Sequence, residues 1–194
     1  MSLEIINENE QNVSVKIKGV PLQYANALRR ICLNGVPVYA IESIDVLENS
    51  SVLADEGVAH RVGLIPIKTD LSASKNGNES DKIMLTLDSG VSDETRTILS
   101  GDLKSQDSDV IPTSNDIPIV TLAPGQSIKF EAYARLGKGI EHARWNSANI
   151  ATLTESDKDD ERVLTVESTG ALVPKHIILS SVEQLSSKLS EFKT

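Results

Sequence analysis

Three observations predict an α+β fold. Alternating residues near the start form strands, two long amphipathic helices lie far apart along the chain, and the stretch between them holds short strands separated by polar turns. The chain has 194 residues, enough for one ordinary domain or two small ones. Apolar residues make up 39% and aromatics only 3%, so the core must be built from Val, Ile, Leu and Ala. Few rings remain for stacking bases or sugars.

The elements follow in order. Val13, Val15 and Ile17 alternate with Ser14, Lys16 and Lys18, the pattern of a half-buried strand. Leu3 to Asn7 can pair with it across the polar turn Glu8 to Asn12. Pro21 opens a helix running to Asn34, because the first helical turn does not need the missing N–H, and Gly35 sits where a left-handed cap would fall. Val36 to Glu48 returns as a strand, and Ser50 or Ser51 can cap a short helix running toward Val62. Thr69 to Lys82 is polar and reads as a loop. Strands follow at Ile83–Leu87, Arg96–Leu99, Ile117–Leu122 and Ser127–Leu136, with Lys104 to Asp109 as a polar stretch, so that 68–152 reads as a β-rich unit. Asp157 to Arg162 is a charged link before a strand starting at Val163. A last helix begins near Pro174, and its Ile178, Val182, Leu185, Leu189 and Phe192 recur at spacings of four and three. Such a stripe packs on another helix.

Charge and cysteine usage exclude several functions. The net charge is -9, so the chain repels a phosphate backbone on average, and no direct specific DNA binding is expected. The single cysteine, Cys32, excludes an intramolecular disulfide and any Cys-rich zinc or iron–sulfur site. No apolar run approaches the roughly 20 residues of a membrane span, and the first residues lack the basic and apolar regions of a secretory signal. The expectation is a soluble, cytoplasmic protein.

No catalytic site emerges. Glu56 and His60 share a helix face, but His142 and His176 sit in unrelated contexts, so the pair reads as a surface or interface ion pair. The run Asp157 to Arg162 has Arg162 where a calcium loop needs Gly, and it reads as a solvated linker. Gly137-Lys138-Gly139 has no βαβ unit around it and reads as a turn. Cys32 reads as a buried, inert thiol. Arg29 and Arg30 point about 100° apart on their helix, so one can flank the apolar stripe while the other faces outward.

Three stretches together carry a resemblance. They are Ala25-Asn26-Ala27-Leu28-Arg29-Arg30-Ile31 with Val36-Pro37; Asn49 to Glu56 running into Ala59-His60-Arg61-Val62-Gly63-Leu64-Ile65-Pro66; and Leu122-Ala123-Pro124-Gly125-Gln126, with Glu131 to Ala134 and Glu141-His142-Ala143-Arg144-Trp145. The chain resembles the alpha-like assembly subunit of multisubunit DNA-directed RNA polymerase, most closely its archaeal, D-type form. The resemblance implies a discontinuous dimerisation domain from 1–67 and 153–194 and an inserted β-rich domain over 68–152. It also implies a subunit that performs no chemistry itself. Such a subunit pairs with a smaller homologous partner, the L-type subunit in archaea, and then assembles with the second-largest subunit and the small subunits N and P.

By the same resemblance, Tyr24, Leu28, Ile31, Ile178, Val182, Leu185, Leu189 and Phe192 fall in the dimer contact. Arg29, Arg30, His142, Arg144 and Trp145 fall toward the large subunit. One departure matters. Many archaeal relatives carry a Cys-rich iron–sulfur insert and eukaryotic ones a zinc loop, but the span Thr152 to Arg162 has no Cys, so no cofactor is expected. The rivals are a homodimeric scaffold outside transcription, served by the same seam, and an enzyme with an unrecognised site around Glu56 and His60.

Overall fold

Residues 2–70, 82–155 and 161–191 are described by the structure, a computed structural model. In chain order the elements are β1 (Ser2–Glu8), β2 (Asn12–Lys18), α1 (Leu22–Asn34), β3 (Val38–Asn49), α2 (Asp55–Gly63), β4 (Ile83–Asp88), β5 (Arg96–Leu99), β6 (Lys104–Ser105), β7 (Pro118–Leu122), β8 (Ile128–Gly137), β9 (Ala148–Glu155), β10 (Glu161–Ser168) and α3 (Pro174–Glu191). The fold class is α+β, as the sequence predicts. Two compact units divide the chain, one from residues 1–38 and 138–194, the other from 39–137.

In the first unit the alternation of β2 sets the layers. Strands β1-β2-β10-β9 form one antiparallel sheet. Val13, Val15 and Ile17 of β2 and Leu164 and Val166 of β10 are buried on one face. On the other, Glu161 pairs with Lys18 at 3.0 Å and Lys16 at 3.8 Å. The turn between β1 and β2 closes on Asn9, whose Oδ1 accepts the N–H groups of Gln11 and Asn12 at 3.0 and 2.6 Å. Helix α1 packs on β9 and β10, and α3 on β10 and β2. Ala25, Leu28, Ile31 and Cys32 of α1 and Ile177 and Ile178 of α3 are buried.

The second unit holds the sheet β3-β8-β4-β6 and the pair β5-β7. Its core gathers Ile41, Val58, Val62, Ile65, Ile67, Leu85, Leu87, Ile98 and Phe130. Arg61 of α2 donates from Nη1 to the Ile119 carbonyl at 2.8 Å.

Several local expectations are corrected. Pro21 is extended at φ -55°, ψ 146° and precedes the helix rather than opening it. Gly35 is right-handed, at φ -104°, ψ -17°. Its value is space: a Cβ there would lie 2.8 Å from Ile31 Cγ2. Helix α2 begins at Asp55 after Ala54, with no side-chain cap. Ser50 and Ser51 bond elsewhere, Ser50 to Ser127 and Ser51 to Asn49. The polar stretch at 104 contains β6, which pairs Thr86 with Lys104. Strand β9, absent from the sequence reading, pairs with β10 and so lies in the first unit. The two compact units divide at 38/39 and 137/138. Most of the polar loop (71–81) and part of the charged link (156–160) lie outside the described residues.

Candidate functional site

An apolar groove of about 360 Å³ opens in the first unit. Its floor is Ile17, Gly19 and Val20 at the end of β2. One wall is the start of α1, with Pro21, Tyr24, Ala25 and Leu28. The other is the second half of α3, with Val182, Leu185, Ser186 and Leu189. The four-three spacing explains the α3 wall. Ile178 is buried against the chain's own sheet, Val182 and Leu185 are half-buried, and Leu189 is 44% exposed. Along the helix the same stripe passes from core to open surface. Tyr24 is 48% exposed at the rim.

Of the residues expected in a dimer contact, Tyr24, Leu28, Val182, Leu185 and Leu189 line this groove. Ile31 and Ile178 are buried within the unit, and Phe192 lies outside the described residues. Sequence reasoning missed the floor. Ile17 was legible as a buried strand position, but nothing in the period of β2 says that it borders an open groove.

The two arginines separate. Arg29 is half-buried and donates from Nη1 to the Ala151 carbonyl of β9 at 3.3 Å. Arg30 is exposed, and among the described residues it has no bonded partner. One turn further on, Asn34 receives the segment after β8. The Ile140 N–H donates to the Asn34 carbonyl at 3.1 Å, and Gly139 packs so closely that a Cβ would meet the Asn34 Cα at 2.8 Å. Arg30 and Asn34, four apart, share a helix face.

That segment leads into a 3-10 turn at Ala143–Trp145. His142 Nδ1 accepts from the Arg144 backbone N–H at 3.1 Å and from Arg144 Nε at 3.3 Å. The Arg144 guanidinium lies 5.5 Å from the Trp145 ring, and His142 meets the same ring edge-on at 6.4 Å. Trp145 is buried, while His142 is exposed and Arg144 half-exposed. The buried indole thus fixes a cation and an imidazole at the surface.

Glu56 and His60 are both exposed on α2. Cys32 is fully buried, and burial pushes its thiol up to about 11. A thiol so raised is a poor nucleophile. Among the described residues no group of three or more His, Cys, Asp or Glu could hold a metal ion. A family iron–sulfur cluster needs several thiolates, which one buried cysteine does not fit. None of the helices among the described residues is long and apolar enough to cross a membrane.

Comparison with known proteins decides the family. Residues 44–156 match the model of the RNA polymerase Rpb3/RpoA insert domain. The chain belongs to the alpha-like RNA polymerase subunit family. A Methanosphaera stadtmanae relative, DNA-directed RNA polymerase subunit Rpo3, is 32% identical over 191 residues, covering 92% of this chain and 71% of the relative. The same-named subunit of Pyrococcus horikoshii is 42% identical over 146 residues, or 75% of this chain. That of Pyrobaculum aerophilum is 41% identical over 156 residues, or 76%. The alignments span only 56% of the Pyrococcus relative and 60% of the Pyrobaculum one. In this alpha-like chain, the family's insert model begins within β3 and ends just past β9.

Proposed function

We propose that the chain is the archaeal, D-type alpha-like subunit of a DNA-directed RNA polymerase and acts, without chemistry or a cofactor of its own, as a platform for assembly. Its site of action is the cytoplasm. The observation that carries this reading is the apolar groove between α1 and α3. A surface of that kind is costly to leave in water and suits a partner with an apolar helix seam. The occupant proposed is the smaller homologous, L-type subunit. The platform is the discontinuous domain 1–67 and 153–194, with 68–152 as the inserted β-rich domain.

Arg30 and the His142–Arg144–Trp145 cluster suit a second contact, with the second-largest subunit. The exposed Arg30 guanidinium can make forked hydrogen bonds to a carboxylate. The small subunits N and P complete the assembly. Sequential reconstitution tests this. The chain and the smaller subunit should form a one-to-one pair by sedimentation, and the second-largest subunit should bind the pair but neither member alone. Equal binding of the large subunit to the lone chain would overturn the platform role, and failure of the pair to form would overturn the groove's assignment.

A further inference from the structure

We infer that His142 is a pH-sensitive latch: as the neutral imidazole it caps the 3-10 turn and holds the Arg144 guanidinium at the Trp145 ring, and on taking a proton it lets both go. The device is built into this chain and operates whichever partner docks there.

The geometry assigns the ring its chemical state. A backbone N–H can only donate, so the imidazole nitrogen that faces the Arg144 N–H at 3.1 Å carries a lone pair. Arg144 Nε, also a donor only, aims at the same Nδ1 at 3.3 Å. His142 is therefore the cap of the turn Ala143–Trp145, with the extended backbone of a capping residue at φ -163°, ψ 149°. With the lone pair on Nδ1, the neutral ring carries its proton on Nε2. A proton taken from solvent turns Nδ1 from acceptor into donor. The ring N–H then meets the two N–H donors of Arg144, and the imidazolium adds its charge to that of the guanidinium.

The surroundings confine the change. Before the turn, the Ile140 N–H donates to the Asn34 carbonyl at 3.1 Å. After it, the Ser147 hydroxyl donates to the Cys32 carbonyl at 2.9 Å. Both ends are tied to α1, so the response is limited to the residues between. Inside the turn, the Trp145 and Asn146 N–H groups bond the carbonyls of His142 and Ala143, each at 3.0 Å, and neither bond involves the imidazole.

The charges around the ring are of both signs. Glu141 turns its carboxylate back to the Lys138 N–H at 2.9 Å, and the Lys138 ammonium reaches Gln184 of α3 at 3.2 Å. On α1, Arg30 lies one turn before Asn34. The charge that faces the ring nitrogen is Arg144. Histidine is the side chain whose ordinary charge change falls between about pH 5 and 8. A latch built on its lone pair is closed toward the upper end of that range and open toward the lower.

The full chain carries its own probe, because Trp145 is its one tryptophan and His142 is one of three histidines. Indole emission should show a transition between about pH 5 and 8. His142→Asn, which keeps a capping oxygen but takes no proton, should abolish it; His60→Gln and His176→Gln should keep it. Emission reads a titrating neighbour, whereas amide exchange at Arg144 reads the latch itself. At about pH 5 that amide should exchange about tenfold faster in wild type than in His142→Asn, and at about pH 8 the two should agree. The wild-type imidazole nitrogen resonances at about pH 8 should place the proton on Nε2, a measurement that needs no variant. A transition that survives in His142→Asn, equal exchange of Arg144 at the acid end, or a proton on Nδ1 at the alkaline end would each overturn the latch.

Discussion

Leu189 offers the sharpest perturbation, because it contributes little to the chain's own fold and much to the proposed contact. It sits near the end of α3 and is 44% exposed on the groove wall. Full burial of a leucine side chain is worth about 1.5–3 kcal/mol, so covering the remaining exposed part adds on the order of 1 kcal/mol. Leu189→Ala should therefore weaken pairing roughly fivefold. Leu189→Glu adds a different cost. With no charged residue lining the groove, the carboxylate would be buried unpaired at about 3 kcal/mol or more. Together these predict a loss of roughly a thousandfold in affinity. Titration calorimetry against the smaller subunit measures both variants. Amide exchange over 39–137 should match wild type, since that unit has its own core. If Leu189→Glu pairs as tightly as wild type, the stripe is only core packing.

Three further outcomes follow from the geometry. Arg29→Ala should cost about 1 kcal/mol of stability by losing its bond to the Ala151 carbonyl; Arg30→Ala should leave the melting temperature unchanged and weaken docking of the second-largest subunit, as read by paired thermal melts and pull-downs. Gly139→Ala would drive a methyl into the Asn146 side-chain oxygen and to 2.8 Å from the Asn34 Cα, so denaturant unfolding should show a loss of about 1–3 kcal/mol. Cys32 is raised from 9.0 to about 11 in the folded chain; its neutral form is favoured there, so its contribution is intact below pH 9 and falls by about 1.4 kcal/mol per pH unit from 9 toward 11. The difference in that slope between wild type and Cys32→Ala, from unfolding curves at several pH values, reads it directly.

What the sequence made legible was periodicity. The four-three stripe of α3 and the two-residue alternation of β2 placed both the sheet and the helix that walls the groove. What it hid depended on partners distant in sequence. β9 reads exposed at Asn149, Ile150 and Thr152, so its alternation is weak, and its place is set by β10 across the link. The stripe could not reveal where own core ends and open surface begins, because Ile178 and Leu189 look alike until the sheet lies beneath one of them. Which of the two arginines flanks the stripe stayed open in the sequence, and the Ala151 carbonyl claims Arg29. The three-stretch resemblance supplied the family, which the match over 44–156 establishes.

The most direct measurement is the composition of the native assembly that contains this chain. Tagged at its own locus and purified at physiological salt, the chain should come out in one copy, with one smaller homologous subunit and both large polymerase subunits, by native mass spectrometry. Recovery as a free monomer or as a homodimer, with no large subunit attached, would contradict the platform role.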